Sequence, residues 1–141
     1  MTRARILVAA SLVALGITIT PALAETMMFK AEMKGASEVP PNDSKGQGSA
    51  MVTLDTEAKT VAWKVTFDGL TGDATAAHFH GPAGPGENAG PAVDVSANIN
   101  EGSAPVTDQQ IADAQAGKWY LNIHTAKYPD GEIRGQLEAA K

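Results

Sequence analysis

The chain has no cysteine. That excludes disulfide staples, thiolate zinc sites and blue-copper centres. Any transition metal must be held by His, Met, carboxylate or backbone oxygen. Basic residues are also scarce, 11 Lys and Arg against 16 Asp and Glu. They form no patch, which argues against nucleic acid and anionic membrane surfaces as partners. No serine stands in a nucleophile-elbow context, and no Gly-rich phosphate motif follows a strand pattern. The only long apolar run is at the N-terminus, so no later segment is a candidate membrane span.

That N-terminal run has the form of a secretory signal. Arg3 and Arg5 give a basic start. Ile6 to Ile19 is apolar except for Ser11, Gly16 and Thr18, and Ala22-Leu23-Ala24 is a small-x-small cleavage site. The run is short for a transmembrane helix, which needs about 20 apolar residues. Residues 1–24 are therefore expected to be removed, leaving a periplasmic or secreted protein with no membrane association. The remaining residues 25–141 form a single domain of 117 residues, long enough to bury a core. They hold all 16 acids but only 9 of the basic residues, so their formal charge is −7.

Period-two alternation dominates this domain. Met27, Phe29, Ala31 and Met33 alternate with Met28, Lys30, Glu32 and Lys34. Residues 35–48 are polar, with Pro40-Pro41, and read as a loop. Ser49 to Leu54 and Val61 to Phe67 flank a turn at Asp55–Ala58 and predict a hairpin. Thr75 to His80 predicts a short strand, followed by a Gly/Pro loop over residues 81–91. Ala92 to Ile99 alternates again, with Val93, Val95, Ala97 and Ile99 inward. Trp119 to Thr125 and Glu132 to Glu138 are separated by the turn signal Tyr128-Pro129-Asp130-Gly131. One segment differs. Thr107-Asp108-Gln109-Gln110 has the form of a capping box and Gly117 that of a stop, so a short helix is expected between them. The expected fold is all-β, a sandwich or barrel of about seven strands with one short helix.

The chain's three histidines are His78, His80 and His124. Side chains two apart on a strand share a face, so His78 and His80 are neighbours while Phe79 faces the core. Leu121 and Ile123 are core candidates, so Asn122 and His124 face away from it. If the two strands are adjacent, the three imidazoles converge, with the 81–91 loop as their cover. Three His with an open position suit zinc, and imidazole also suits copper. Glu132, Asp130 and Asp94 are candidate partners for the second ring nitrogens, and Glu87 is another acid nearby in the pattern. Met28, on the polar face of its strand, is a candidate soft ligand. Glu132 and Arg134 share a strand face and are expected to form a surface ion pair.

Four motifs resemble those of one family. They are Gly35-Ala36-Ser37-Glu38-Val39-Pro40-Pro41, Ala76-Ala77-His78-Phe79-His80-Gly81-Pro82-Ala83-Gly84, Gly117–Thr125 and Gly131–Leu137. Their order and spacing over residues 28–138 resemble the CHRD domain, the repeat module of chordin that also occurs in exported bacterial proteins. Phe79 stands where the family usually has an aliphatic residue. The resemblance implies an immunoglobulin-like, Greek-key β architecture, and its motifs contain all three histidines. A weaker likeness is to copper/zinc superoxide dismutase, where a His-x-His strand and a remote His bind copper outside a Greek-key barrel. The zinc ligands and active-site arginine loop of that family have no counterpart here.

The expected function is that of an exported metal-binding protein, copper before zinc, serving metal storage, delivery or tolerance. A copper-dependent redox enzyme resembling superoxide dismutase is one alternative. A metal-free binding or scaffold module is the other, and the sequence leaves room for a protein partner.

Overall fold

The computed structural model describes Gly16 and residues 25–141. The expected signal segment, residues 1–24, lies outside the described residues apart from Gly16. Among the described residues, no helix is long and apolar enough to cross a membrane.

Among the described residues, nine strands form one antiparallel sheet. They are β1 (Thr26–Lys34), β2 (Gln47–Asp55), β3 (Thr60–Asp68), β4 (Ala74–His80), β5 (Pro91–Asp94), β6 (Glu101–Pro105), β7 (Tyr120–Thr125), β8 (Ile133–Gln136) and β9 (Glu138–Ala139). The spatial order is β5-β4-β7-β8-β1-β2-β3-β6, with β9 paired to β1. The sheet curls until its ends approach. Phe79 of β4 meets Trp63 of β3 edge to face at 5.9 Å, although four strands lie between β4 and β3 in that order. Trp119 also stacks on Phe79, with ring centroids 5.5 Å apart. The fold is therefore barrel-like, nearly closed around one core.

The alternation seen in the sequence places that core. Phe29, Ala31 and Met33 of β1, Val52 and Leu54 of β2, and Val61, Trp63 and Val65 of β3 are buried. Phe79, Leu121, Ile123, Ile133 and Leu137 join them in one cluster. Each large apolar side chain taken from water there contributes about 1.5–3 kcal/mol before entropy is counted. The β2–β3 hairpin runs in unbroken register from Gln47↔Asp68 to Asp55↔Thr60.

The expected helix is α1, Asp108–Gln115. Thr107 Oγ1 accepts from the Gln110 backbone N–H at 3.2 Å, and Gln110 Oε1 accepts from the Thr107 N–H at 2.9 Å. This is the reciprocal capping box, and it satisfies two donors that a helix start leaves open.

The strand expected over Ala92–Ile99 is shorter than predicted. It ends at Asp94, whose Oδ1 accepts from the Ser96 N–H at 2.8 Å and turns the chain into a 3₁₀ turn at Ser96–Asn98. Val93 and Val95 are buried, but Ala97 is exposed. Strand β6 carries no apolar alternation and is held by its ladder to β3, from Thr60↔Pro105 to Lys64↔Glu101.

Candidate metal centre

The histidines sit on β4 and β7, which are adjacent and antiparallel. Ala76 faces His124, His78 faces Asn122 and His80 faces Tyr120. Period two then puts His78, His80, Tyr120, Asn122 and His124 on one face, opposite Phe79, Leu121 and Ile123. His78 and His124 are diagonal neighbours, with ring centroids 4.9 Å apart, and His80 lies 5.5 Å from His78. One nitrogen from each ring falls within 4.8 Å of the others. Nitrogens bound to one ion at about 2.0–2.1 Å can be no more than about 4.2 Å apart. Small ring rotations would close that difference.

This face is the outer one, yet His80 and His124 are buried. Two loops cover it. His80 Nδ1 lies 2.9 Å from the Ala89 carbonyl, in the Gly/Pro loop. His124 Nδ1 lies 2.8 Å from the Pro129 carbonyl, in the turn before β8. Gly81 lets the first loop pack down. A Cβ there would stand 2.5 Å from Trp119 Cδ1 and 2.7 Å from the Lys118 carbonyl oxygen. His78 is partly open to solvent.

A carbonyl can only accept, so His80 and His124 each carry their proton on Nδ1 when neutral, and each keeps a lone pair on Nε2. His124 Nε2 is 3.0 Å from His78 Nδ1, which donates to it. His78 Nε2 is 3.8 Å from Asp94 Oδ1. Burial holds His78 and His80 below the ordinary histidine pKa, so both favour the neutral form that a ligand needs. The neighbouring His124 pushes His78 the same way, while Asp94 pulls against it.

The other sequence candidates are placed as follows. Asp94 is exposed but within reach of His78, and hydrogen bonds from Ser96 hold its carboxyl low. Asp130 is exposed and touches the site only through its backbone carbonyl, 3.4 Å from Asn122 Nδ2. Met28 is exposed at the far end of β1, six residues from the Lys34↔Arg134 pair, or about 20 Å along the strand. Glu87 caps its own loop by accepting from the Gly84 N–H.

Glu132 is fully buried, and both its oxygens are used elsewhere. Ser44 Oγ donates to Oε1 at 2.6 Å and the Thr71 N–H donates to Oε1 at 2.9 Å. Thr71 Oγ1 and Thr125 Oγ1 donate to Oε2 at 2.9 and 2.6 Å. Burial pushes this carboxyl up, but these bonds outweigh it and hold the pKa below the ordinary value. The expected surface pair of Glu132 with Arg134 does not form. Arg134 is buried too, with its guanidinium 3.4 Å from the centre of the Tyr120 ring. It donates to Asn88 Oδ1 and to the Gly84 carbonyl.

Three residues of the site were not candidates from sequence. Tyr120 lies flat against His80, with centroids 4.8 Å apart and planes 3° from parallel, and Arg134 covers its other face. The Asn122 side-chain amide meets His80 Nε2 at 2.8 Å. Glu38 lies beside Asn122, buried. The period-two face that carries His124 also carries Tyr120 and Asn122, and that was the available signal.

No curated protein and no solved structure matches the chain. A family model, CHRD domain, matches residues 29–137, which span β1 to β8 and include every residue of this site. The chain therefore belongs to the CHRD domain family.

Proposed function

We propose that this is an exported CHRD-domain protein that binds one transition-metal ion, copper in preference to zinc, through His78, His80 and His124. One observation carries the reading. Each ring has an acceptor placed for its second nitrogen: the Asp94 carboxylate for His78, the Ala89 carbonyl for His80 and the Pro129 carbonyl for His124. Metal-bound imidazoles usually have such partners. They select His78 Nδ1, His80 Nε2 and His124 Nε2 as the ligand atoms. His78 needs only to move its proton from Nδ1 to Nε2, towards Asp94.

The preference for copper rests on the donor set. Three neutral imidazoles with no thiolate give no selectivity for zinc, and divalent copper binds most nitrogen sites more tightly. A bound ion would be a Lewis acid or a redox centre, and the chain's part is to hold three neutral ligands under two loops. The partial exposure of His78 leaves one side open to solvent, which suits uptake and release in storage, delivery or tolerance. The same opening also suits a redox enzyme acting on a small substrate. Superoxide turnover by copper-loaded protein would favour that second reading.

Calorimetric titration of the purified protein with copper(II) and with zinc(II) tests the proposal. One equivalent should bind, copper more tightly. His78→Ala and His124→Ala should each abolish that event. At a hundredfold excess over Kd, metal should stabilise the wild type by about 2.7 kcal/mol. Unchanged binding in both variants would overturn the shared site, and no binding by the wild type would leave a metal-free module.

A further inference from the structure

The opening motif Gly35–Pro41 contributes Glu38, which the metal site as described does not use. Glu38 lines a separate feature of the fold, a cleft of about 450 Å³ between that motif and the Gly/Pro loop. Arg134 lines the same cleft, and Ala36, Val39, Pro41 and Pro85 are among its walls. Asn88 ties the two sides together, donating from Nδ2 to the Val39 carbonyl at 2.8 Å. Apolar walls with a few fixed polar groups are the usual form of a small-molecule site.

Both ionic side chains are held almost entirely out of water, Glu38 at 6% exposure and Arg134 at 1%. The guanidinium donates to Asn88 Oδ1 and the Gly84 carbonyl at 3.2 Å, and to Gln136 Oε1 at 3.5 Å. Gly84 and Asn88 flank the wall residue Pro85, so the charged end of Arg134 lies at the cleft. A guanidinium has five donors, so it can take a further acceptor. Glu38 is shorter of partners. Its Oε1 is buried with no hydrogen-bond partner among the described residues. Burial pushes the carboxyl up to about 7, and the Arg134 charge and the Asn122 amide only partly counter it. No ion pair joins Glu38 and Arg134 among the described residues. A carboxyl and a guanidinium thus share one cleft without pairing. Burying such groups is costly, so their retention calls for a physical reason.

We propose that this cleft binds a free α-amino acid with an apolar side chain, its ammonium group on Glu38 and its carboxylate on Arg134. The ligand carries both charges on one carbon, and each meets its opposite. The ammonium brings three donors to a carboxyl that lacks them, and the carboxylate brings acceptors to the guanidinium. A cation alone would be repelled by Arg134, and an anion alone by ionised Glu38. An aliphatic side chain would pack on Val39, Pro41 and Pro85. The volume lies near the small end of ligand pockets, which suits a ligand of this size. None of the three histidines lines the cleft, so the proposal does not rest on the metal-binding reading.

Calorimetric titration of the purified protein with L-valine and L-leucine tests it, with neutral N-acetylvalinamide as the control. One equivalent of either amino acid should bind, and the control should bind at least about tenfold more weakly, having neither charge. Glu38→Gln keeps the volume but not the charge, and should weaken L-valine binding about tenfold or more. Ala36→Trp, at an exposed wall position, should block binding by filling the cleft while the urea midpoint stays near that of wild type. An ammonium partner favours ionised Glu38, so binding near pH 6.5 should release protons to the buffer. Glu38→Gln should lose that release, which a purely structural role does not predict. N-acetylvalinamide binding as tightly as L-valine would overturn the recognition of paired charges. Glu38→Gln binding like wild type would overturn the part given to Glu38. Failure of the wild type to bind either amino acid overturns the proposal outright and leaves the metal reading untouched.

Discussion

Glu38 and Glu132 are both buried carboxylates, yet their surroundings drive them in opposite directions. Burial pushes Glu38 up to about 7, only partly countered by the charge of Arg134 and the Asn122 amide. Glu132 is the more deeply buried, yet four donors hold it below its ordinary value. Depth of burial therefore does not decide the charge. The number of donors that meet the carboxylate does. Each fate matches a place in the fold. Glu132 ties together three segments, through Ser44 before β2, Thr71 between β3 and β4, and Thr125 at the end of β7. Glu38 sits beside Asn122 and Gly131, where its Oε1 meets no hydrogen-bond partner among the described residues. One carboxylate is a fixed knot and the other is short of donors.

The comparison breaks most easily at the knot. Glu132→Ala would leave the donors of Ser44, Thr71 and Thr125 unmatched around a cavity. We expect a loss of about 3–5 kcal/mol in urea unfolding, the range for removing one member of a buried charged network. A loss below 1 kcal/mol would mean that the three segments are held by other contacts. Gly131→Ala comes next. Its methyl would collide with Glu38 Oε1 and Asn122 Nδ2 at a backbone angle unfavourable to alanine, for an expected loss of about 2–4 kcal/mol. Glu38→Gln should not relieve this clash, because the volume is the same. A Gly131→Ala variant as stable as wild type would show that the carboxyl can move aside freely.

Much of this was legible in the sequence, and the boundary has a physical meaning. Alternation predicted the core faces of β1, β3 and β7, because a half-buried strand must repeat every two residues. The capping box at Thr107 is local chemistry and could be read directly. The three histidines could be placed on one face by the same period, and their meeting needed only β4 next to β7. Strand β6 was not legible. Glu101-Gly102-Ser103-Ala104-Pro105 has no β-branched or aromatic residue, and its pairing is set by backbone partners on β3. The Glu132–Arg134 expectation went wrong for a related reason. Period two gives the face of each residue, but the covering loops decide whether that face is wet. Glu38 lies in a loop, where no period applies, so its place beside Asn122 could come only from the tertiary structure.

The difference between the two carboxylates should also appear in pH dependence. An unfolded glutamate titrates near 4.5, whereas folded Glu38 does so at about 7. Between these values the folded protein holds a proton that the unfolded chain has released. Stability from this group is therefore full below pH 4.5 and falls as pH rises towards 7, by about 2–3 kcal/mol. His78 and His80 act in the opposite sense below the ordinary histidine value of 6.5, because the unfolded chain takes up protons that the folded rings resist. The measurement is thus the difference between wild type and Glu38→Gln in urea midpoints from pH 4.5 to 8. The variant should gain on wild type as pH rises through that window. A constant difference would place Glu38's folded pKa near its unfolded one and dissolve the contrast with Glu132.

The smallest effect tests the contrast from the other side. Ser44→Ala removes one of Glu132's four donors and leaves Thr71 and Thr125 in place. It also removes the acceptor for the Gly46 N–H. Near neutral pH the loss should be about 1–2 kcal/mol. The more telling readout is the acid limb. Glu132's folded pKa is depressed, so its contribution is full above pH 4.5 and disappears as pH falls through the folded value. With one donor gone that folded value must rise towards 4.5. The acid unfolding transition of Ser44→Ala should then begin at higher pH than that of wild type. A pure packing loss would lower stability equally at every pH and leave the acid slope unchanged. Each donor removed would carry Glu132 a step towards the condition of Glu38, which makes donor count, at fixed burial, the variable under test.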